Sequence, residues 1–143
     1  RLFNCPYLFV KLMISQRLKT IFLISIPLFI VHGLEEYFQG LYLVDSHVDF
    51  VFGYLYTLAT PQALFLFFQI ALWSLLIVTA ILISRDTWRL RMMIIPGLIY
   101  IYELHHIREA LSLGDYYPGL ITAILFTLIA LFYQKELIQI YRK

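Results

Sequence analysis

Four apolar segments, each about the length of a membrane-crossing helix, constrain the fold of this chain more than any other feature. They cover residues 20–39, 62–84, 92–113 and 118–134. A helix needs about 20 predominantly apolar residues to cross a bilayer, with a range of about 17–25. The segments show no strand-like alternation of apolar and polar residues, and only helices satisfy the backbone of an open chain in lipid. We therefore predict an all-α fold, an integral membrane four-helix bundle.

The composition agrees with a membrane protein. Hydrophobic residues make up 62% of the chain and charged residues 14%, compared with about 45–50% and about 25% in soluble domains. A soluble chain with this surplus would expose large apolar patches. The net charge of +2 and the lack of a basic patch argue against a nucleic-acid partner. The single cysteine, Cys5, excludes an internal disulfide framework and a multi-thiolate metal site.

The basic residues between the segments predict the topology. Lysine and arginine precede the first segment, separate the second from the third and follow the fourth, but residues 40–61 and 114–117 contain neither. The positive-inside rule then places both termini in the cytoplasm, with four spans. We divide the chain into a cytoplasmic N-terminal segment, 1–19, a membrane domain, 20–134, and a cytoplasmic tail, 135–143. The first methionine is Met13, which leaves open whether residues 1–12 are native.

The connection over residues 40–61 is too apolar for a free loop. Its leucines and valines recur at three- and four-residue spacing, which is typical of a helix with one apolar face. We predict an interfacial helix between the first two spans, across the outer mouth of the bundle. Three polar residues on it are predicted to line the mouth of a pocket: Asp45, His47 and Asp49.

Two groups of ionisable residues lie inside the apolar segments. The first segment carries His32, Glu35 and Glu36, and the third carries Glu103, His105, His106 and Glu109. His32 lies thirteen residues after Lys19, and His105 lies fourteen after Arg91, so both sit about 20 Å above the inner charges. Ionisable groups at membrane depth cost several kcal/mol each and mark functional sites. We expect the two groups to meet below the outer headgroups.

A mononuclear zinc site is the interpretation we favour. On a helix His32 and Glu36 share one face, and the string resembles the inverted zincin motif with its last histidine replaced by glutamate. These two residues would be ligands, with His105 or His106 as the third and Glu35 as the general base. Zinc in such a site would lower the pKa of a bound water and polarise a carbonyl or phosphoryl group.

A dinuclear iron or manganese centre is an alternative. Carboxylates and histidines at three-residue spacing assemble such centres in helical bundles, and Glu36, Glu103 and the histidines would bridge the ions. The second and fourth segments offer only Gln69, Thr122 and Thr127 as further polar groups, which disfavours this centre. Four residues are predicted to support either kind of site: Tyr102, Glu103, Glu109 and Tyr116.

A metal-free arrangement is also open. His32 with Glu36, and Glu103 or Glu109 with a partner histidine, would then form a proton relay or polar contacts between helices. Such contacts average under about 1 kcal/mol in membranes, which is too little to explain these ionisable groups as structural alone.

Two motifs carry a resemblance to a known family. They are His32-Gly33-Leu34-Glu35-Glu36 and Tyr116-Tyr117-Pro118-Gly119-Leu120-Ile121-Thr122-Ala123. In this order within four spans, they resemble the HXXEE-motif integral membrane proteins over about residues 20–134. The family has a histidine upstream of the tyrosine of the second motif, where this chain has His106. This chain departs from the family where Tyr102, with Glu103 beside it, replaces an asparagine. The resemblance supports the site and the topology, whereas the family's biochemical role is unassigned.

These observations favour a metal-dependent membrane hydrolase acting on a lipid or lipid-linked substrate. A proton- or ion-coupled carrier, or an accessory membrane subunit, could use the same pocket without metal, and a small membrane scaffold is a third possibility. The expected partners are membrane lipid and a hydrophobic small-molecule or lipid substrate. The oligomeric state stays open.

Overall fold

A computed structural model of the protein describes residues 14–84 and 93–142. Within these ranges every regular element is helical and no strand occurs. The helices are α1 (Gln16–Phe38), α2 (Leu41–Val44), α3 (Ser46–Phe52), α4 (Pro61–Ser84), α5 (Ile94–Tyr102), α6 (His105–Leu113) and α7 (Leu120–Tyr141), with a 3₁₀ turn at Gly53–Leu55. The predicted inner loop at 85–91 and the N-terminal residues 1–13 lie outside the described residues.

Three helices are long and apolar enough to cross a membrane. They are α1, the Pro61–Ile83 part of α4, and α7. These helices correspond to the first, second and fourth predicted segments. The all-α prediction is confirmed for the described residues, and the three candidate spans indicate a multi-pass membrane protein.

The third predicted segment is not one continuous helix. It divides into α5 and α6, each of 9 residues, and each is shorter than the about 17 residues that a span requires. Between them, Glu103 and Leu104 form a tight turn in which the His106 N–H faces the Glu103 carbonyl at 3.4 Å. Non-helical backbone at membrane depth is tolerated where it lines a cavity, and Glu103 does line one.

The predicted interfacial helix is also wrong as a single element. Residues 41–55 form α2, α3 and the 3₁₀ turn. Asp45 is the reason for the break, because its side chain accepts hydrogen bonds from the backbone N–H groups of His47 and Val48 and caps α3. The chain therefore ends α2 at Val44 and begins α3 at Ser46 instead of forming one continuous helix.

Helix α1 packs against both α4 and α7, and α5 and α6 pack against α7. The core between them is aromatic, with the rings of Phe29 and Phe126 at a centroid distance of 4.4 Å. Two polar contacts tie α5 to α7. Tyr133 donates to the Met93 carbonyl at 2.7 Å, and Gln134 donates to the Gly97 carbonyl at 2.7 Å. The α5–α6 turn is thereby held opposite α1.

Candidate metal site

Four buried side chains converge where the α5–α6 turn faces α1. They are His32 and Glu36 of α1, Glu103 of the turn, and His106 of α6. One ligand atom from each lies within 4.8 Å of the others. Their relative exposures are only 3%, 6%, 7% and 0%. The imidazoles and carboxylates of the two predicted groups therefore meet in one place.

The distances inside this cluster suit a small cation. The His32 Nε2 atom lies 2.7 Å from Glu103 Oε2 and 3.4 Å from Glu36 Oε1. His106 Nε2 lies 3.1 Å from Glu36 Oε1 and 3.3 Å from Glu103 Oε2. Ligands bound at about 2.0 Å to a tetrahedral zinc would lie about 3.3 Å apart. Three of the four separations are close to that value.

The contact of His106 Nδ1 shows that this ring nitrogen carries a proton. Its Nδ1 lies 2.6 Å from the carbonyl oxygen of Pro118, and because a carbonyl only accepts, Nδ1 carries the proton. The Nε2 atom of the same ring therefore faces Glu36 and Glu103. That buried Nε2 atom makes no hydrogen bond of acceptable geometry among the described residues.

His32 has the same orientation through a longer chain of contacts. The Thr122 hydroxyl lies 2.6 Å from Glu35 Oε2 and 3.3 Å from the Gly119 carbonyl, so its proton goes to the carboxylate. Its oxygen then accepts from His32 Nδ1 at 2.6 Å. Metal-binding histidines generally donate their other N–H in this way. Both Nε2 atoms thus face the two carboxylates, and His32 Nε2 is within hydrogen-bond distance of Glu103. A metal ion or protons must lie between these nitrogens and the carboxylates.

Helix α4 positions the Glu36 carboxylate. Gln69 donates from Nε2 to Glu36 Oε2 at 2.6 Å, which directs Oε1 into the cluster. This contact needs a glycine at position 33, because a Cβ there would lie 2.8 Å from Gln69 Cδ and 3.0 Å from Trp73 Cζ2. The close approach of α1 and α4 is therefore part of the site.

Gly119 lies directly against both imidazoles. Its φ of +88° is in the left-handed region that favours glycine. A Cβ at this position would lie 2.8 Å from His106 Nδ1 and 2.9 Å from His32 Cε1. Both the backbone conformation and the space therefore require glycine.

Glu35, the predicted general base, lies at the N-terminus of α7. Its Oε1 accepts from the Tyr116 hydroxyl at 2.7 Å and from the Ile121 N–H at 3.0 Å. Its Oε2 accepts from the Thr122 N–H at 3.0 Å and from the Thr122 hydroxyl. Burial, and next the hydrogen bond to Glu35, raise the pKa of Tyr116 to about 12, so the phenol stays a donor. The base role stays a prediction, but these bonds favour a positioning role for Glu35.

His105, predicted as an alternative ligand, belongs to a neighbouring group. Its Nε2 lies 3.3 Å from Asp45 Oδ2, which also accepts from the Tyr117 hydroxyl at 2.6 Å. Burial alone would raise the pKa of Asp45, but hydrogen bonds from His105, Tyr117 and two backbone N–H groups outweigh it and hold the pKa well below its usual range. Asp45 is therefore an anion that joins α3 to α6.

The remaining predicted residues lie outside the four-residue cluster. Glu109 accepts from its neighbour Arg108 at 3.0 Å. Tyr102 and His47 line a cavity beside the cluster, and the His47 side chain is half exposed. Asp49 is exposed and is not among the described residues that line the cavity.

This cavity has a volume of about 460 Å³, within the range of about 300–1,000 Å³ of ligand pockets. His32, Glu36 and Glu103 form part of its wall. Helix α4 contributes Phe65, Phe68 and Leu72, α5 contributes Leu98 and Ile99, and α3 contributes Val48, Val51 and Phe52. The cluster is therefore accessible to an apolar molecule.

Comparison with known proteins identifies the family. A family model described as a protein of unknown function with HXXEE motif matches residues 23–133. The chain belongs to the HXXEE family. No curated protein and no solved structure matches it. The predicted resemblance is confirmed. The three specified positions of the motif have different roles in the structure: His32 and Glu36 belong to the cluster, whereas Glu35 caps α7.

The sequence patterns do not reveal the contribution of three residues to the four-residue cluster. Thr122 and Gln69 were noted only as sparse polar groups of the fourth and second segments, and Gly119 only as part of a motif. Their signal in the sequence is a single polar residue in an otherwise apolar span, and a glycine that follows a proline at a helix start. Neither signal says which partner the residue contacts.

Thr122→Val is expected to weaken metal binding about 10–100-fold, because it removes the group that orients His32. Valine has a similar shape, so the fold is expected to persist. The measurement is a competition titration with a chelating indicator. Thr127→Val is the matched control, because among the described residues the Thr127 hydroxyl bonds only the Ala123 carbonyl of its own helix, at 3.0 Å. Equal affinities in the two variants would contradict the role of Thr122.

Proposed function

We propose that this HXXEE protein is a metal-dependent membrane enzyme, a hydrolase of a lipid or lipid-linked substrate with one zinc ion. The observation that carries the proposal is the convergence of two imidazole Nε2 atoms on two carboxylates, all four groups buried beside an apolar cavity. Two histidines and one carboxylate with an open position form one of the ligand sets of catalytic zinc.

The topology we propose has four spans, with α5 and α6 together forming the interrupted third. The termini are cytoplasmic, and the cluster lies towards the outer leaflet. The support is the distribution of basic residues. Residues 1–19 and 135–143 are then the cytoplasmic ends of a membrane domain at 20–134.

Three residues are assigned as ligands and one as the base. His32 and His106 would bind the ion through Nε2, and Glu36 would bind it through Oε1 because Gln69 holds its other oxygen. A catalytic zinc keeps three protein ligands and an open position, which leaves Glu103 as the general base. Glu103 is on the cavity wall, where it can accept a proton from the attacking water.

The bound metal would supply a water of lowered pKa and polarise the substrate carbonyl. The chain itself holds the imidazoles in one tautomer, fixes Glu36 and excludes bulk water from the cluster. Since the cavity is mostly hydrocarbon, it favours a substrate with an acyl chain. The reaction is then hydrolysis next to that chain.

Metal content is the decisive test. We expect about one zinc per chain in wild-type protein purified into nanodiscs without chelator, and under about a tenth of that in His106→Ala. His47→Ala is the control, since its half-exposed side chain lies outside the cluster and its metal content is expected to equal wild type. Two ions per chain would replace the mononuclear site with a dinuclear one. No metal above background would overturn the proposal and leave the carrier or accessory subunit ahead.

Hydrolysis is tested with a chromogenic long-chain ester such as 4-nitrophenyl dodecanoate. Turnover in nanodiscs is expected to stop on treatment with chelator and to return on addition of zinc. His106→Ala is expected to show neither. Activity that survives chelation equally in both proteins would contradict a role of the cluster in hydrolysis.

A further inference from the structure

We propose that the cavity takes a single-chain lipid with an uncharged polar head, an ester, amide or alcohol, and excludes lipids with a phosphate head. This inference rests on the proposed function and names the substrate class of the same site. Three features support this inference. They are the composition of the cavity wall, the charge around the cluster, and the carboxylate that already occupies the N-terminus of α7.

The hydrocarbon part of the wall accommodates a chain but does not select one strongly. The chain of a membrane lipid moves from an apolar bilayer into an apolar cavity, so the transfer has no large hydrophobic driving force. Discrimination therefore falls to the head, which must lie against the polar part of the wall. That part contains three members of the cluster, His32, Glu36 and Glu103, together with Asp45, His105 and Tyr102.

The polar wall carries carboxylates and histidines but no permanently charged cation among the described residues. None of the described residues that line the cavity is a lysine or arginine. The nearby Arg108 is 69% exposed and ion-paired with Glu109. A divalent cation would offset the charges of Glu36 and Glu103 but leave the anion of Asp45. A phosphate head would then add negative charge where the local balance is already negative.

The N-terminus of α7 beside the site is already occupied by a carboxylate of the chain. Phosphates bind at helix N-termini through free backbone N–H groups. At α7 these groups donate to the Glu35 carboxylate. A phosphate head therefore finds this anion-binding position filled.

Two lipid probes that share a twelve-carbon chain and differ in the head group test the predicted head selectivity. Dodecanamide and dodecyl phosphate are titrated into the full chain in phosphatidylcholine nanodiscs, and empty nanodiscs correct for partition into lipid. We expect dodecanamide to bind at least about tenfold more tightly, although a phosphate is the better partner for an isolated cation. Asp45→Asn, which keeps a capping side chain, is expected to reduce that ratio. A phosphate that binds as tightly as the amide would overturn the proposal.

A second pair of variants tests the cavity. Leu72→Trp fills space in the wall and is expected to abolish saturable dodecanamide binding. Ile77→Trp on the same helix is the control, because Ile77 is 46% exposed and outside the lining. Unchanged binding in Leu72→Trp would overturn the inference. Metal content is measured in the same samples. Bound metal without head selectivity overturns this inference alone, whereas absent metal overturns the proposed function and this inference with it.

Discussion

Gly119→Ala is expected to bind almost no metal and to be clearly less stable than wild type. A left-handed conformation costs a non-glycine residue about 1–2 kcal/mol, and overpacking a filled site costs about 1–3 kcal/mol more. The added Cβ would lie within 2.9 Å of atoms of both His32 and His106, so both imidazoles must move. Metal content and thermal unfolding of the purified protein measure the two effects.

Gly114→Ala separates backbone strain from collision. Gly114 also has a positive φ, +68°, but a Cβ there would meet nothing within 4 Å. This variant is expected to lose about 1–2 kcal/mol of stability from strain and to keep its metal. If Gly119→Ala behaved like Gly114→Ala, the contact between the turn and the two imidazoles would not matter for binding.

Glu36→Gln and Glu103→Gln are expected to have different effects. Glu36→Gln removes an anionic ligand, and we expect metal affinity to fall by at least about 100-fold. Glu103→Gln removes the proposed base, and we expect ester hydrolysis to fall about 10²–10⁴-fold with metal retained. The measurements are zinc stoichiometry and the initial rate in the same nanodisc samples.

The matched control for both is Glu109→Gln. Its carboxylate pairs with Arg108 on the same helix and lies outside the cluster, so both readouts are expected to stay near wild type. Loss of metal in Glu103→Gln as severe as in Glu36→Gln would make Glu103 a fourth ligand. The catalytic position would then be closed, and the hydrolase assignment would fail.

Chelation provides a stability test of the same cluster. A metal that binds only the folded protein stabilises it by about 4 kcal/mol at a thousandfold excess over Kd. We therefore expect chelator to lower the unfolding temperature of wild type but to leave Glu36→Gln unchanged. An equal drop in both proteins would indicate an effect unrelated to the site.

Much of the fold could be predicted because helix length in a membrane is set by the bilayer. The first, second and fourth segments became α1, α4 and α7 for that reason. The prediction of one continuous helix for the third segment was wrong, because hydropathy reports the surroundings of side chains and not the continuity of backbone hydrogen bonds. A turn at Glu103 and Leu104 is compatible with an apolar average, and so is the break at Asp45.

The residue types of the site and the meeting of its two groups were predictable, whereas the exact set of residues in the cluster was not. Spacing alone left His105 and His106 equivalent as ligands, and it assigned Glu35 to catalysis because of its place in the HXXEE motif. The orientation of each depends on contacts from distant segments. Pro118 holds His106, Asp45 faces His105, and α7 receives Glu35.

The sequence by itself determined that this chain is helical, has several segments apolar enough to cross a membrane and carries histidine and glutamate in two of its apolar segments, because hydrophobicity and rise per residue are local properties. Only the tertiary structure decided which nitrogens and oxygens face one another. A ring nitrogen becomes a free ligand when its partner nitrogen finds an acceptor elsewhere in the chain, and that acceptor is provided by the packing of α1 against the start of α7.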